Sequence, residues 1–424
     1  MNEVGIKIPV KKMADIQLRD ITSLVVAITI FLSISPFFVW SSFAGGIGGT
    51  IFKAFQLLAT GLLFLHLLVD RFTMPAFISG VGILGIFLFY CFFTGVKSGT
   101  THPLLIGNVL VYVFYALNAL ADKRILVKSF DLLRTIFAIF LGYTFIIYLL
   151  ILIGIPVPYS VLQSGEAGRV EAGYQFYQNY LGCIVINQNG SLLYRFTAVF
   201  TEPGVVGTFC AFFLASDDCV LKGNKRNIIF LISGLFSLSL AFYVMFVLII
   251  AMKSLRNGGF KLFISLLAIV AVYFVFINAS FSNPMIVSLQ ERLVLTESGL
   301  AGDNRIKEAA EASYQAFLNS DIKTVLLGYG YPDSTATAEA WQATASYKES
   351  VYCLGVLGYG LMLAWFIITP LICYKSKNKN KNRLMYSYMA IFILSQYQRP
   401  YMKGLFLAYI LLAGCLYVQR RAKD

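Results

Sequence analysis

The chain has 424 residues, of which 58% are hydrophobic, 15% aromatic and only 13% charged, with a formal net charge of +13 and a mean hydropathy of +0.74. A water-soluble protein carries about a quarter charged residues, so this composition excludes an ordinary soluble enzyme and points to a chain solvated by lipid. The positive charge falls in short clusters at the ends of apolar blocks rather than along one polar face, which excludes a nucleic-acid-binding stripe.

At the N-terminus, Lys7, Lys11, Lys12 and Arg19 precede an apolar run over 21–40. It is too long for a signal-peptide core and reads as an uncleaved first span. Further spans are predicted at 51–69, 74–95, 104–120, 136–155, 203–221, 260–277, 350–374, 384–397 and 404–418. Clusters at Lys123, Arg124, Lys128 and Arg134, at Lys222, Lys225 and Arg226, over 375–383, and at Arg420, Arg421 and Lys423 mark cytoplasmic loops. Both termini then lie inside, and two sizeable polar loops, 156–201 and 278–349, face the periplasm. The expectation is one integral membrane domain over 1–424, an all-α polytopic transmembrane bundle of about 10–12 spans.

Segment 227–252 resists this counting. It is long enough for one span but has basic residues on both sides, with Lys253, Arg256 and Lys261 following. A single crossing would put the two large loops on opposite faces. Two short half-crossing helices, broken near 234–239, restore the parity, and such a break is tolerated only where protein or a wet cavity surrounds it. One tilted helix with an imperfect charge bias is the alternative.

The usual catalytic inventories are empty: there is no HExxH, no Gly-rich phosphate loop, no GxSxG and no carboxylate cluster. The seven cysteines show neither a disulfide framework nor metal-ligand spacing, and Cys183 alone sits in an outer loop. No metal or cofactor is expected. His66, inside the second span, reads as a packed polar residue, and His102 falls in a short loop. What remains is arginine on the outside: Arg169 and Arg195 in the first loop, Arg292 and Arg305 in the second, and Arg399 at the outer end of a later span. Arginine cannot be neutralised by losing a proton, and its planar fork matches phosphate oxygens, so the set reads as a site for a polyanion such as a lipid diphosphate. Snorkelling interfacial anchors are the alternative for individual residues.

Two contexts sharpen this reading. In 195–204, Thr201 is the expected N-cap, with Glu202 and Pro203 in the first turn of the span that follows. In 302–305, Asp303 or Asn304 can cap a helix whose Ile306, Ala310, Tyr314 and Phe317 share one face, with Arg305 in its first turn.

The segments RFTAVFTEPG at 195–204, GDNR at 302–305, LLGYG at 326–330 and YCLGVLGYG at 352–360 together resemble the Wzy-type O-antigen and polysaccharide polymerases of the O-antigen polymerase and ligase superfamily. The resemblance covers most of the chain by topology and only these short motifs by residue. It implies a glycosyltransferase-C-like inner-membrane enzyme that joins undecaprenyl-diphosphate-linked oligosaccharide repeats at the periplasmic face, with a lipid-linked donor and acceptor and a chain-length regulator as a further partner. Arg195, Glu202 and Arg305 match best, and Arg169, Arg292, Arg399 and Lys348 are further candidates for holding substrate. Tyr174, Phe176, Tyr177, Tyr180 and Trp341 are candidates for stacking on sugar rings, although aromatic residues are expected at any membrane interface. The related ligases carry a histidine before the corresponding late span, where this chain reads Ala-Ser-Tyr-Lys-Glu over 345–349, which favours polymerase over ligase. A flippase or other transporter would show mid-membrane cations and an internal repeat, and neither is evident.

Topology generates the first prediction. Cysteines placed at Asn189 and at Thr337 are expected to react with a membrane-impermeant reagent from the same face, and a cysteine at Lys379 only from the other. Labelling of the first two from opposite faces would overturn the parity argument.

Overall fold

The computed structural model describes residues 9–40, 47–69, 74–97, 103–163, 174–188, 191–282, 284–296, 299–300, 308–330, 346–398 and 405–421. Helices dominate. The first part contains α1 (Pro9–Ser33), α2 (Phe37–Trp40), α3 (Gly48–Val69), α4 (Met74–Phe77) with a π-helical turn at Ile78–Gly82, α5 (Ile83–Lys97), α6 (Pro103–Leu120) and α7 (Lys123–Leu152). The middle has α8 (Pro203–Ser216), α9 (Lys225–Phe236), α10 (Leu240–Asn257), α11 (Gly259–Asn278) and α12 (Pro284–Leu293). The last part has α13 (Glu308–Leu318), α14 (Ile322–Leu327), α15 (Tyr347–Tyr374), α16 (Lys379–Gln398) and α17 (Leu405–Arg421).

Among the described residues five helical stretches are long and apolar enough to cross a membrane: Gly48–Leu68, Met74–Phe92, Lys123–Leu152, Leu240–Asn257 and Tyr347–Tyr374. Some of the apolar blocks form shorter helices. The 14 residues of α8 rise only about 21 Å against a hydrocarbon core of about 30 Å. Leu57, Leu58, Phe64, Leu65 and Leu68 of α3 and Ile86, Phe89 and Phe92 of α5 point outward and are exposed. An apolar surface of that extent is what a lipid-facing belt presents.

The core is built around α8 and α17. Every residue of α17 from Phe406 to Val418 is buried, and the helix packs against α1, α6, α7, α8, α15 and α16. Close approach depends on small residues. A Cβ at Gly414 would lie 2.2 Å from the Tyr388 hydroxyl, which instead reaches past the helix surface to donate to the Ile410 carbonyl at 2.9 Å. The π-turn frees carbonyls that neighbouring α15 satisfies: Trp365 Nε1 donates to Gly80 O and Thr369 Oγ1 to Ser79 O, each at 3.3 Å. His66 is buried beside Thr22, with Nε2 and Oγ1 3.1 Å apart.

One reading from sequence is corrected here. Arg134, taken as a loop cation before a span at 136–155, lies inside the bundle with 0% exposure, because α7 begins at Lys123 and runs without interruption to Leu152. Its charge is satisfied from three other helices or their ends. It donates to Asp217 after α8, to Asn227 Oδ1 of α9 at 2.7 Å and to the Tyr417 hydroxyl of α17. The Tyr417 hydroxyl donates onward to Asp131 at 2.9 Å, and Asp131 pairs with Arg226 at 3.0 Å. Its guanidinium also lies over the Tyr417 ring, 4.8 Å from the centroid.

The 225–257 segment is two helices meeting at Ser237–Ser239, where Leu238 has a φ of 47°. Arg226 at the start of α9 pairs with Asp131, and Arg256 at the end of α10 pairs with Asp218, so both ends of the pair return to the same end of the bundle. The break lies between α8 and the outer part of α7, where Phe145 and Tyr148 pack against Phe236.

The region 156–201 carries a four-stranded antiparallel meander rather than irregular loop: β1 (Ser160–Gln163), β2 (Tyr174–Tyr180), β3 (Cys183–Gln188) and β4 (Ser191–Leu193). Cys183, Ile184, Val185 and Ile186 are all buried against the bundle end. Ile184 N donates to Ala198 O at 2.8 Å, and Phe37 N donates to Val199 O at 2.8 Å, which ties the sheet and α2 to the segment leading into α8.

The buried ion pair generates a prediction. Asp217→Leu alone strands the Arg134 charge in the core and is expected to cost about 3–5 kcal/mol. The double variant Arg134→Met/Asp217→Leu removes both charges and is expected to recover most of that loss. Thermal unfolding of detergent-solubilised protein measures both, and a double variant no better than the single one would show that the pair is not what holds these helices.

Candidate functional site

Two helix starts, a helix break and a glycine-rich turn lie at the end of the bundle that carries the sheet. Pro203 fixes the start of α8: a proline at the first helical position has no N–H to leave orphaned, and it holds the preceding residue extended. Glu202 is therefore the N-cap residue, with φ −138° and ψ 133°, in place of the expected Thr201, and its carboxylate makes no capping hydrogen bond.

Arg195 is half-buried and reaches the break between α9 and α10. Its Nε donates to Ser237 O at 3.3 Å and its NH2 to Leu238 O at 2.8 Å. Phe196 N donates to Phe236 O at 3.0 Å, so the backbone of the same segment satisfies the end of α9. The break presses against the first turns of α8, where a Cβ at Gly207 would lie 2.7 Å from the Ser239 Cβ. A Cβ at Gly234, before the break, would lie 2.1 Å from the buried Phe242 ring just after it. The fold thus gathers Arg195, the broken pair and the helix opened by Glu202 at one place. Beside the sheet lies a mainly apolar cavity of about 520 Å³, lined by Phe37, Phe38, Phe140, Tyr143, Tyr159 and neighbouring residues.

The second long loop contributes a separate cluster. Its LLGYG turn docks on a non-helical step inside α15 at Gly355. Tyr329 N donates to Tyr352 O at 3.0 Å and Gly330 N to Cys353 O at 2.9 Å. Gly328 and Gly355 have φ of 76° and 66°, and a Cβ on either would lie within 2.4 Å of the other segment's backbone. Only glycine allows both the left-handed backbone and that approach. The Tyr90 hydroxyl closes the junction, its single proton shared between Leu327 O at 2.7 Å and Leu354 O at 2.5 Å. Around it, Phe317, Tyr329 and Tyr352 pack with ring centroids 5.0–5.8 Å apart, while Tyr347 lies 5.6 Å from Tyr397.

Lys348, a candidate substrate ligand, is engaged as a clamp. Its Nζ lies 2.7 and 2.9 Å from the two Glu311 carboxylate oxygens and 5.0 Å from the Tyr314 ring centroid, tying α13 to the first turn of α15. The Lys348 hydrogen bonds, with one from Gln315, hold the Glu311 carboxyl below its ordinary pKa. The pair is therefore intact above the usual glutamate range and is lost as pH falls through the lowered value.

The other expected site residues divide into three groups. Tyr177 is withdrawn as a stacking residue: its ring is 1% exposed and packs on Trp40 at 5.2 Å, because alternation along β2 turns it into the core. Arg292 is half-buried in the last turn of α12, a helix whose packing among the described residues is against α11. Tyr174 is placed by its backbone in β2, opposite Gln188. Arg169, Arg305, Trp341 and Arg399, with His102, Asp303 and Asn304, lie outside the described residues. Sequence reasoning missed the tyrosine cluster, of which Tyr329 and Tyr397 are 49% and 61% exposed. Its signal was present in tyrosines flanking both glycine motifs.

The tight packing at the break generates a prediction. Gly234→Ala must displace the Phe242 ring and is expected to destabilise by about 1–3 kcal/mol. Gly61→Ala, where a Cβ meets nothing within 4 Å, is expected to be neutral. Equal melting temperatures for both variants would show that the break does not need this contact.

No protein-family model and no curated protein matches this chain.

Proposed function

We propose that this chain is a Wzy-type polysaccharide polymerase with a glycosyltransferase-C-like fold. In this reading it is an inner-membrane enzyme with both termini cytoplasmic, joining undecaprenyl-diphosphate-linked oligosaccharide repeats at the periplasmic face, and it works with a chain-length regulator. The observation that carries the proposal is the guanidinium of Arg195 held at a helix break beside the helix that Glu202 opens. A cation fixed by backbone carbonyls in a partly dry cleft is pre-oriented for an anion and needs no reorganisation during reaction.

The chemistry follows from those groups. A hydroxyl oxygen of the acceptor sugar attacks the anomeric carbon of the donor, forming the new glycosidic bond. The bond from that carbon to the lipid diphosphate breaks, and the diphosphate leaves with the electron pair. Arg195 and Arg305 stabilise the growing negative charge, and the Glu202 carboxylate accepts the hydroxyl proton. The apolar cavity beside the sheet suits a prenyl chain, and the exposed tyrosines Tyr329 and Tyr397 suit the faces of sugar rings.

The assay is surface-glycan length in a deletion strain complemented at matched protein levels. Arg195→Ala and Arg305→Ala are each expected to lower polymerisation about a hundredfold or more, and Glu202→Gln by a similar factor. Lysine at either arginine position keeps the charge, loses the fork and is expected to rescue only partly. The deletion strain is expected to display single repeats attached to their final acceptor. Wild-type polymer from both Ala variants would reject the diphosphate clamp, and loss of all attached glycan in the deletion strain would identify a ligase instead.

A further inference from the structure

The opposite end of the bundle, away from the sheet, holds a cavity of about 1140 Å³ whose wall is basic. Lys123, Arg124 and Lys128 from the first turns of α7 meet Arg226 of α9, Lys381 of α16 and Arg420 of α17. Asp131 is the one carboxylate among the described lining residues. It is already engaged by Arg226 at 3.0 Å and by the Tyr417 hydroxyl at 2.9 Å, and Tyr417 is in turn held by the buried Arg134. The single acidic group is thus spent on building the wall. Six cations against one carboxylate give the described lining a formal charge of +5, and Lys128 is also paired with Asp20 at 2.5 Å, outside the lining. Val127 and Leu416 add apolar surface between the cations.

From this geometry we infer a binding site for a phosphate ester, the headgroup of an anionic phospholipid. Cations converging from four helices surround a phosphate, and the arginine forks of Arg124 and Arg420 match its oxygens. The aliphatic wall suits the glycerol portion of a lipid, for which a free inorganic anion has no use. Basic pockets between membrane helices bind lipid headgroups on this principle. The site is independent of the polymerase reading: none of the residues assigned there lines it. Because its wall continues into the Arg134 network, a bound headgroup also braces the four elements that meet at that arginine.

The experiment follows thermal unfolding of the full chain in neutral detergent as dioleoyl phosphatidylglycerol, dioleoyl phosphatidylcholine or inorganic phosphate is titrated in. Phosphatidylglycerol is expected to raise the melting temperature saturably and phosphatidylcholine to leave it unchanged. The triple variant Lys123→Gln/Arg124→Gln/Arg420→Gln is expected to weaken the phosphatidylglycerol effect at least tenfold. A control, Lys375→Gln/Lys377→Gln/Lys379→Gln, removes the same charge from exposed positions outside the lining and is expected to keep wild-type affinity. Stabilisation by inorganic phosphate alone, abolished by the lining triple, would keep the phosphate site and identify its source as soluble. Equal loss in both triples would reduce the effect to the general charge of this end and overturn the site, as would an absence of stabilisation by either ligand or an undiminished effect in the lining triple.

Discussion

The charge of Arg134 has to be satisfied inside the bundle, and that requirement sets how the helices align. A guanidinium with no exposure to water is tolerable only with a counter-charge and hydrogen-bond partners within reach. Those partners come from the end of α8, the first turn of α9 and the last turns of α17, so their positions along the bundle axis are fixed relative to α7. Once α9 starts level with Arg134, its 12 residues rise about 18 Å and end well inside the bundle. The break at Ser237–Ser239 then falls beside the Arg195 segment.

A helix break within an apolar bundle exposes carbonyls that lipid cannot hydrate. Here the Arg195 side chain and the Phe196 amide satisfy them, and the packing is close enough that Gly207 and Gly234 leave no room for a methyl group. The residue proposed to hold a diphosphate is therefore also one that completes the fold. The same hydrogen bonds that stabilise the break orient the cation, which is the pre-organisation an anionic transition state requires.

The two ends of the bundle have acquired different chemistry by the same means. One end has carbonyl-bound Arg195, the cap position of Glu202, a tyrosine cluster, the sheet and an apolar cavity. At the other, the network around Arg134 engages Asp131, the one carboxylate among the described lining residues, in a wall of cations. In both cases polar groups inside the bundle are held by backbone or by each other.

By itself, the sequence determined that the chain is a mostly helical bundle with apolar helices, because hydropathy needs no partner to be read. It also singled out Arg195, Glu202 and the segment 227–252 from charge, proline and parity, which are local signals. It did not reveal that Arg195 reaches the break in that segment, since 42 residues separate Arg195 from Ser237. The meander is only weakly signalled: Ile184, Val185 and Ile186 are β-branched and follow a Leu181–Gly182 turn, but the tyrosines of β2 suit sugar stacking as well as a strand. Tyr177 turns inward because side chains alternate along β2. Arg134 looks like a loop cation in sequence, because an arginine beside an apolar block ordinarily meets water. Only tertiary structure could supply Asp217, Asn227 and Tyr417 as the partners that make its burial affordable, and a single chain of letters does not show which distant groups will meet.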